Sequence, residues 1–193
     1  MKGFTVHTVD SAPQASKPTL EQVKQGWGFV PKLQGTLAES PIALEAHEAL
    51  FALAHRTSFS PTEQQAGLLA ISVRHECEYC AMGHTFLGRK AGLDEASLTA
   101  LRERQPLESP RLQALRTFIE AVIDQRGFVD DARVSAFLEA GFTRAQVLEV
   151  LVLVALKTVS NYADHLTDLP KEPFMSDPAL RWVAPRHRAG KVA

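Results

Sequence analysis

Residues 75–86 read HECEYCAMGHTF and hold both cysteines of the chain and two of its seven histidines. If a helix begins near Cys77, then Cys77 and Cys80 stand at i and i+3, with His84 four residues beyond Cys80, and all three share one face. Helical side chains lean toward the N-terminus, which carries the His84 imidazole back over Cys80. A thiol in a first turn feels the positive end of the helix dipole, and a neighbouring imidazole can accept its proton. Both effects lower a thiol pKa from its ordinary value of about 8.5. Because the thiolate is the nucleophile, the spacing favours Cys80 as the attacking sulfur and His84 as its base. Cys77 is then placed to resolve an oxidised Cys80 as a disulfide.

Other uses of the same residues fit less well. Two cysteines on a helix can be small buried apolar residues, but that leaves the histidine at matching spacing unexplained. Zinc would draw on Cys77, Cys80 and His84 with His75 or His165. Structural zinc motifs, however, usually bring a second ligand pair from a separate loop, and no second C-x-x-C occurs. A thioredoxin-type C-x-x-C needs a βαβ setting. The opening residues, MKGFTVHTVDSAPQASKPTL, contain no apolar signal-peptide core, so a cytoplasmic location is expected, where a permanent disulfide staple is disfavoured. A redox dithiol uses every residue of the motif.

The elements that must position this motif read almost throughout as helix. Residues 43–57, ALEAHEALFALAHRT, carry Leu44, Ala46, Leu50 and Leu53 as an apolar stripe. In SPTEQQAGLLAISVR, Ser60 is an N-cap, Pro61 suits the first helical position and Glu63 completes an S-x-x-E capping box, which predicts a helix over 61–74. After the motif, Gly92 offers a stop and Asp94 a cap for the next helix. Residues 109–127 run from a Ser-Pro start to a Gly stop, and DDARVSAFLEAG repeats that plan in short form. Thr143 and Gln146 form a second capping box, ahead of a segment apolar nearly all round and therefore expected at the centre of the fold. A faint internal echo pairs this segment with residues 59–80. No stretch alternates with period two between turn signals.

The expected fold class is therefore all-α: one helical domain over 20–169, with arms at 1–19 and 170–193. Trp27 and Phe29, in GWGFVPKL, read as an anchor for the N-terminal arm. A chain of 193 residues, 45% hydrophobic and 22% charged, can bury a core of its own. A formal net charge of -1 supplies no field for nucleic acid or anionic membrane, and the basic tail RWVAPRHRAGKV reads as solvated. The longest apolar run, 147–159, contains Glu149 and Lys157 and is too short to span a bilayer. Neither nucleic acid nor membrane is an expected partner.

The order SPTEQQ, an apolar helix, then CEYCAMGH resembles the alkyl hydroperoxidase D-like branch of the carboxymuconolactone decarboxylase superfamily. SAPQASKPTLEQVKQGWGFVPKL, LAESPIALEAHEAL and SNYADH extend the likeness, over nearly the whole chain, to a branch of uncharacterised peroxidase-related proteins. The resemblance implies an all-helical subunit that assembles as a trimer or hexamer, a dimer being the other option, with the dithiol close to a subunit interface. It implies peroxide reduction with no haem, flavin or metal, hence no cofactor. It also implies a dithiol reductant as partner, lipoylated or thioredoxin-like.

Carried over by position, the resemblance makes Cys80 the peroxidatic cysteine, Cys77 the resolving cysteine and His84 the proton acceptor. The relay glutamate of such proteins, twelve residues before the first cysteine, falls on Gln65. An amide can orient His84 or a water but cannot shuttle a proton. Glu63 lies about 200° round the same helix, which leaves Glu76, Asp164 and His165 as candidates for the missing acid. His75 and Glu76 replace an Asn-containing pair common in relatives, and acidity there opposes a thiolate.

The expected function is a cofactor-free thiol peroxidase-like oxidoreductase that takes a small hydroperoxide at the Cys77/Cys80 dithiol. One rival is a cofactor-free decarboxylase of the carboxymuconolactone type, whose relatives do not rely on a dithiol. Another is a non-enzymatic redox sensor or assembly module, which the change at Gln65 favours. Tyr79 fits either a substrate hydrogen bond or a core or interface position. His47 and His55 fit packing or surface roles, and Asn161 and Tyr162 fit either a structural polar network or a place near the dithiol.

Overall fold

The computed structural model describes residues 3–188, which form ten α-helices and three short 3-10 turns; no strand occurs among the described residues. The helices are α1 (Lys17–Trp27), α2 (Lys32–Leu37), α3 (Pro41–Ala54), α4 (Pro61–Arg74), α5 (Glu78–Lys90), α6 (Glu95–Glu103), α7 (Pro110–Asp124), α8 (Asp131–Glu139), α9 (Arg144–Thr167) and α10 (Pro185–Arg188). The all-α expectation holds, and the reasons are local. Ser60 with Glu63, and Thr143 with Gln146, close both halves of their capping boxes. Asp94, Ser109 and Asp130 each accept a backbone N–H three residues on. Gly92, Gly127 and Gly141 follow α5, α7 and α8 with positive φ, which relieves the helix ends at no steric cost.

Helix α4 is the hub, lying against α5, α6, α7 and α9. Gly67 lets two neighbours close on it, since a Cβ there would stand 3.2 Å from both Ile119 Cδ1 on α7 and Leu153 Cδ1 on α9. One side of the hub buries Leu68, Ile71, Leu115, Ile119 and Leu153, with Phe118, Phe137 and Phe142 stacked in sequence. The other side packs Leu69, Val73, Leu98 and Leu101 beneath Trp182. A third cluster, built on Leu20, Leu37, Leu44 and Met82, contains Cys77, Tyr79 and Cys80. The dithiol is thus seated within a core cluster.

Helix α9 runs for 24 residues, longer than its apolar run alone, and is long and apolar enough by length and composition to cross a membrane. It packs against α2, α3, α4, α5 and α7, and its buried face carries Lys157, Ser160 and Asn161. Both arms are tied to the helices. The His7 N–H donates to Gly35 O at 2.9 Å. The C-terminal segment lays Met175, Leu180, Trp182 and Ala184 into the core, and the Trp182 indole N–H donates to Arg102 O at 3.0 Å. The last part of the basic tail, 189–193, lies outside the described residues.

Candidate active site

Cys77 is the N-cap of α5, and its Sγ accepts the Cys80 N–H at 3.2 Å. Cys80 therefore stands in the first turn of α5, with His84 on the next turn. The turn that presents them is sharp: Glu76 adopts φ 59°, and the Cys77 N–H reaches back to Ser72 O at 2.9 Å. Glu76 itself faces Arg186, at 3.5 Å.

His84 is held at both ring nitrogens. Its Nδ1–H donates to Gln65 Oε1 at 3.0 Å, so Nε2 is left as an acceptor and takes a hydrogen bond from Lys157 Nζ, also at 3.0 Å. Burial, and then the Lys157 charge, hold the His84 pKa well below the ordinary imidazole value. Lys157, on α9, is only 3% exposed, and its charge favours the Cys80 thiolate.

The two thiols are driven apart. Burial pushes Cys77 well up, helped by Cys80 and by the Asp164 carboxylate. Its S–H donates to Asp164 Oδ2 at 3.2 Å. Burial also works to raise Cys80, but there it is overcome by the neighbouring Cys77 thiol and by Lys157, which bring it down to about 7. The structure thus brings together all four residues singled out from the sequence, Cys80, Cys77, His84 and Gln65, and adds Lys157 and Asp164.

Two hollows flank this chain of groups. Cys80, His84 and Lys157 line an apolar cavity of about 270 Å³, walled by Trp27, Phe51, Phe86 and Phe174. Trp27 and Phe29 are cavity wall here, where an anchor for the N-terminal arm was expected. The second hollow, about 360 Å³, is polar and lined by Glu76, Glu78, Asp164, Lys171 and Arg186. Cys77 itself is fully buried. Tyr79 borders both hollows, and its hydroxyl donates to Glu172 Oε1 at 2.7 Å, which makes it a satisfied buried tyrosine. Burial and the Glu172 charge push its pKa far up.

No local motif marks Lys157, because its partner His84 on α5 is distant in sequence. The signal was nevertheless visible, since a lysine inside an otherwise apolar helix is costly unless it has partners. His165 is drawn toward the Glu76 backbone, and its ring lies 6.0 Å from Tyr162. Cys77, Asp164 and His165 bring three donor atoms within 4.8 Å of one another, a grouping already joined by the Cys77–Asp164 hydrogen bond. The zinc set weighed and set aside from the sequence needs His84, whose nitrogens are engaged by Gln65 and Lys157.

No protein-family model matches the chain, and no curated protein matches it. Solved structures do. An uncharacterised peroxidase-related protein from Ralstonia eutropha JMP134, an alkylhydroperoxidase AhpD core, superposes with a TM-score of 0.80 at 20% identity, covering 93% of this chain and 96% of that one. An uncharacterised peroxidase-related protein from Silicibacter sp. TM1040 gives 0.74 at 16% identity, covering 92% and 97%. The chain therefore has the all-helical fold of the AhpD core. It is similar also to the debrominase Bmp8, with a TM-score of 0.74 at 19% identity over 93% of this chain and 97% of that one. A cysteine-to-alanine variant of Bmp8 in complex with 2,3,4-tribromopyrrole gives 0.73 at 18% identity, covering 91% and 95%.

Proposed function

We propose that the protein is a thiol peroxidase-like oxidoreductase that reduces organic hydroperoxides at Cys80. The observation that carries this reading is the asymmetry of the dithiol. Cys80 opens onto an apolar cavity and is pulled down to about 7, while Cys77 is fully buried, pushed up and hydrogen-bonded to Asp164. The Cys80 thiolate attacks the distal peroxide oxygen. The S–O bond forms, the O–O bond breaks, and the alkoxide leaves to be protonated as an alcohol. Cys77 then attacks the sulfenic sulfur, water leaves, and the Cys77–Cys80 disulfide remains for a dithiol reductant to reopen. Asp164 is placed to accept the Cys77 proton. Intact mass after alkylation, before and after one equivalent of cumene hydroperoxide, tests this. Loss of both thiols as an intrachain disulfide is expected, with a trapped sulfenic acid in Cys77→Ser and none in Cys80→Ser. Thiols that stay alkylatable would sink the proposal.

A second reading is reductive dehalogenation of a small aromatic ring. Six aromatic side chains, Trp27, Phe29, Phe51, Tyr79, Phe86 and Phe174, wall the cavity in front of Cys80, and the Bmp8 relative is a debrominase. Cys80 would take the halogen, the ring carbon would take a proton, and Cys77 would displace halide to give the same disulfide. Halide release from a bromopyrrole, in step with thiol loss, separates this activity from peroxide reduction.

The chain also carries a face suited to a second copy of itself. Leu148, Leu151, Tyr162 and Leu166 are 66%, 49%, 49% and 67% exposed and fall on one side of α9. Their stripe runs for about 27 Å, long enough to pack against the same helix of another subunit, and supports a homo-oligomer.

A further inference from the structure

Histidine 84 has the wrong hydrogen bonds for a base. A base for Cys80 needs a free lone pair aimed at sulfur, yet Nδ1 is committed as a donor to Gln65 and the Nε2 lone pair is occupied by Lys157. Lys157 is better placed: it holds the imidazole with one N–H, its charge favours the Cys80 thiolate, and it lines, together with Cys80, the cavity in which a peroxide would lie. The resulting chain runs from the Gln65 amide through His84 to Lys157, which lines the same cavity as Cys80.

We propose that Lys157 is the catalytic residue that stabilises the Cys80 thiolate and protonates the departing alkoxide, and that His84 is a positioning residue that holds Lys157 in place. The proposal deepens the peroxidase reading and rests on it for the second of those two roles. The step balances. The Cys80 thiolate and ROOH give the sulfenic acid and RO⁻, and Lys157 gives one proton to make ROH and becomes the neutral amine. Cys77–SH with the sulfenic acid gives the disulfide and water. A dithiol reductant then returns two electrons and two protons, one to Cys77 and one to Lys157. An alkoxide is a far stronger base than an amine, so proton transfer from Lys157 runs downhill, and no carboxylate relay is required.

Several other charges face this group. Cys77 and Cys80 approach from α5 with His84, and Asp164 lies on α9 itself. His75 feels the Lys157 charge from the end of α4, His47 and His55 lie toward α3, and Glu172 lines the same cavity. Asp164 opposes Lys157 at Cys80, whereas Glu172 already receives the Tyr79 hydroxyl and the Lys32 N–H. Lys157 is thus the cation whose charge favours the Cys80 thiolate.

Two measurements on the intact protein test the two roles separately. The first is thiolate absorbance against pH in the parent protein, Lys157→Met, Lys157→Arg and His84→Gln, and it needs no substrate. Lys157→Met keeps the side-chain volume among apolar neighbours, and thermal melts establish that each variant is folded. The expected result is a Cys80 midpoint that climbs from about 7 to above the ordinary thiol value of about 8.5 in Lys157→Met, with Lys157→Arg restoring most of it. A midpoint unmoved in Lys157→Met overturns the assignment, and one that moves in His84→Gln while staying put in Lys157→Met returns the role to His84.

The second measurement compares single-turnover disulfide formation with an alkyl hydroperoxide and with a peroxy acid, whose carboxylate leaves without needing a proton. In Lys157→Met, at a pH where Cys80 is ionised in both proteins, the alkyl hydroperoxide rate should fall by about 100-fold or more, while the peroxy acid rate falls far less. Equal losses for both oxidants exclude the acid role. A parent protein that reduces neither oxidant removes the acid role together with the peroxidase reading, and leaves the thiolate stabilisation to stand on the titration alone.

Discussion

Lys157 Nζ and His84 Nε2 meet at 3.0 Å inside the protein, across a helix pair that joins α9 to α5. With Gln65 on the opposite ring nitrogen, the arrangement keeps His84 neutral and sets Lys157 on the wall of the cavity that Cys80 also lines. This changes the meaning of the glutamine. A carboxylate at position 65 would pull a proton onto His84 or compensate the charge of Lys157, and either outcome weakens the stabilisation of the Cys80 thiolate. An amide binds the imidazole without adding charge.

Gln65→Glu is accordingly expected to make Cys80 less acidic, although it restores the acid that the family resemblance calls for. A new negative charge near the site should raise the Cys80 midpoint from about 7 to about 8, and it should raise the His84 pKa in the same variant. Thiolate absorbance and histidine ring-proton NMR would show both shifts. A Cys80 midpoint that falls instead would mean that His84 can act as the base once a carboxylate backs it.

The neighbouring Cys77 thiol is the strongest influence lowering Cys80. Iodoacetamide should therefore modify Cys80 with a rate that rises with pH through about 7, while Cys77 reacts slowly throughout. Cys77→Ala removes the donor and should move that midpoint upward. Cys77→Ser keeps an O–H and should move it less. Equal shifts in the two variants would show that the loss of sulfur packing, and not of the donor, is responsible.

Acid stability follows from the histidines. His75, His84 and His165 each have a pKa held below the ordinary value, first of all by burial. A histidine depressed in the folded state binds its proton more readily when unfolded, so its stabilising contribution is complete above about pH 6.5 and is lost as pH falls below that value. Glu63 and Glu78 are also depressed, but as carboxylates they weaken the fold only at lower pH, below about 4.3. Melting temperature should therefore drop between about pH 6.5 and about pH 5, ahead of the carboxylates, and His84→Gln should flatten that part of the curve. A flat profile there would contradict the buried neutral state of His84.

The contrast between what could and could not be read from the chain has a physical basis. Helix starts are short-range events: Ser60 with Glu63, Thr143 with Gln146, and Cys77 with the Cys80 amide each lie within one turn. Such contacts leave a signature in the order of residues. Lys157 meets His84 and Asp164 meets Cys77 only because α9 lies across α5, and no local pattern encodes that crossing. Asp164 could be named as a candidate acid beside the motif, but its thiol partner could not. Lys157 stood out in sequence only as a charge within an apolar run. Trp27 and Phe29 were equally ambiguous, because an aromatic pair in a loop suits an anchor or a cavity wall, and packing alone decides.

The stripe on α9 gives a prediction about assembly. Leu151→Glu or Leu166→Glu places a charge in an exposed apolar band without touching the core. Light scattering after gel filtration should show a smaller particle than the parent, with unchanged helical circular dichroism. An unchanged mass in both variants would rule out α9 as the self-association face.

Gly83 sets the room available in front of Cys80. It lies one turn along α5 and borders the cavity, and a Cβ there would meet only Met175 Cε, at 3.7 Å. Gly83→Leu should therefore fold, with the leucine entering the cavity, and the substitution favours helix by about 1 kcal/mol over glycine. Because it fills space without touching the thiol chemistry, it should discriminate by substrate size. The KM for cumene hydroperoxide is expected to rise about tenfold or more, while turnover of hydrogen peroxide stays within about twofold. Steady-state kinetics with the two peroxides decides the matter. If both substrates are affected alike, the leucine has disturbed Cys80 itself; if neither is, bulky peroxides reach the sulfur by a route other than the aromatic cavity.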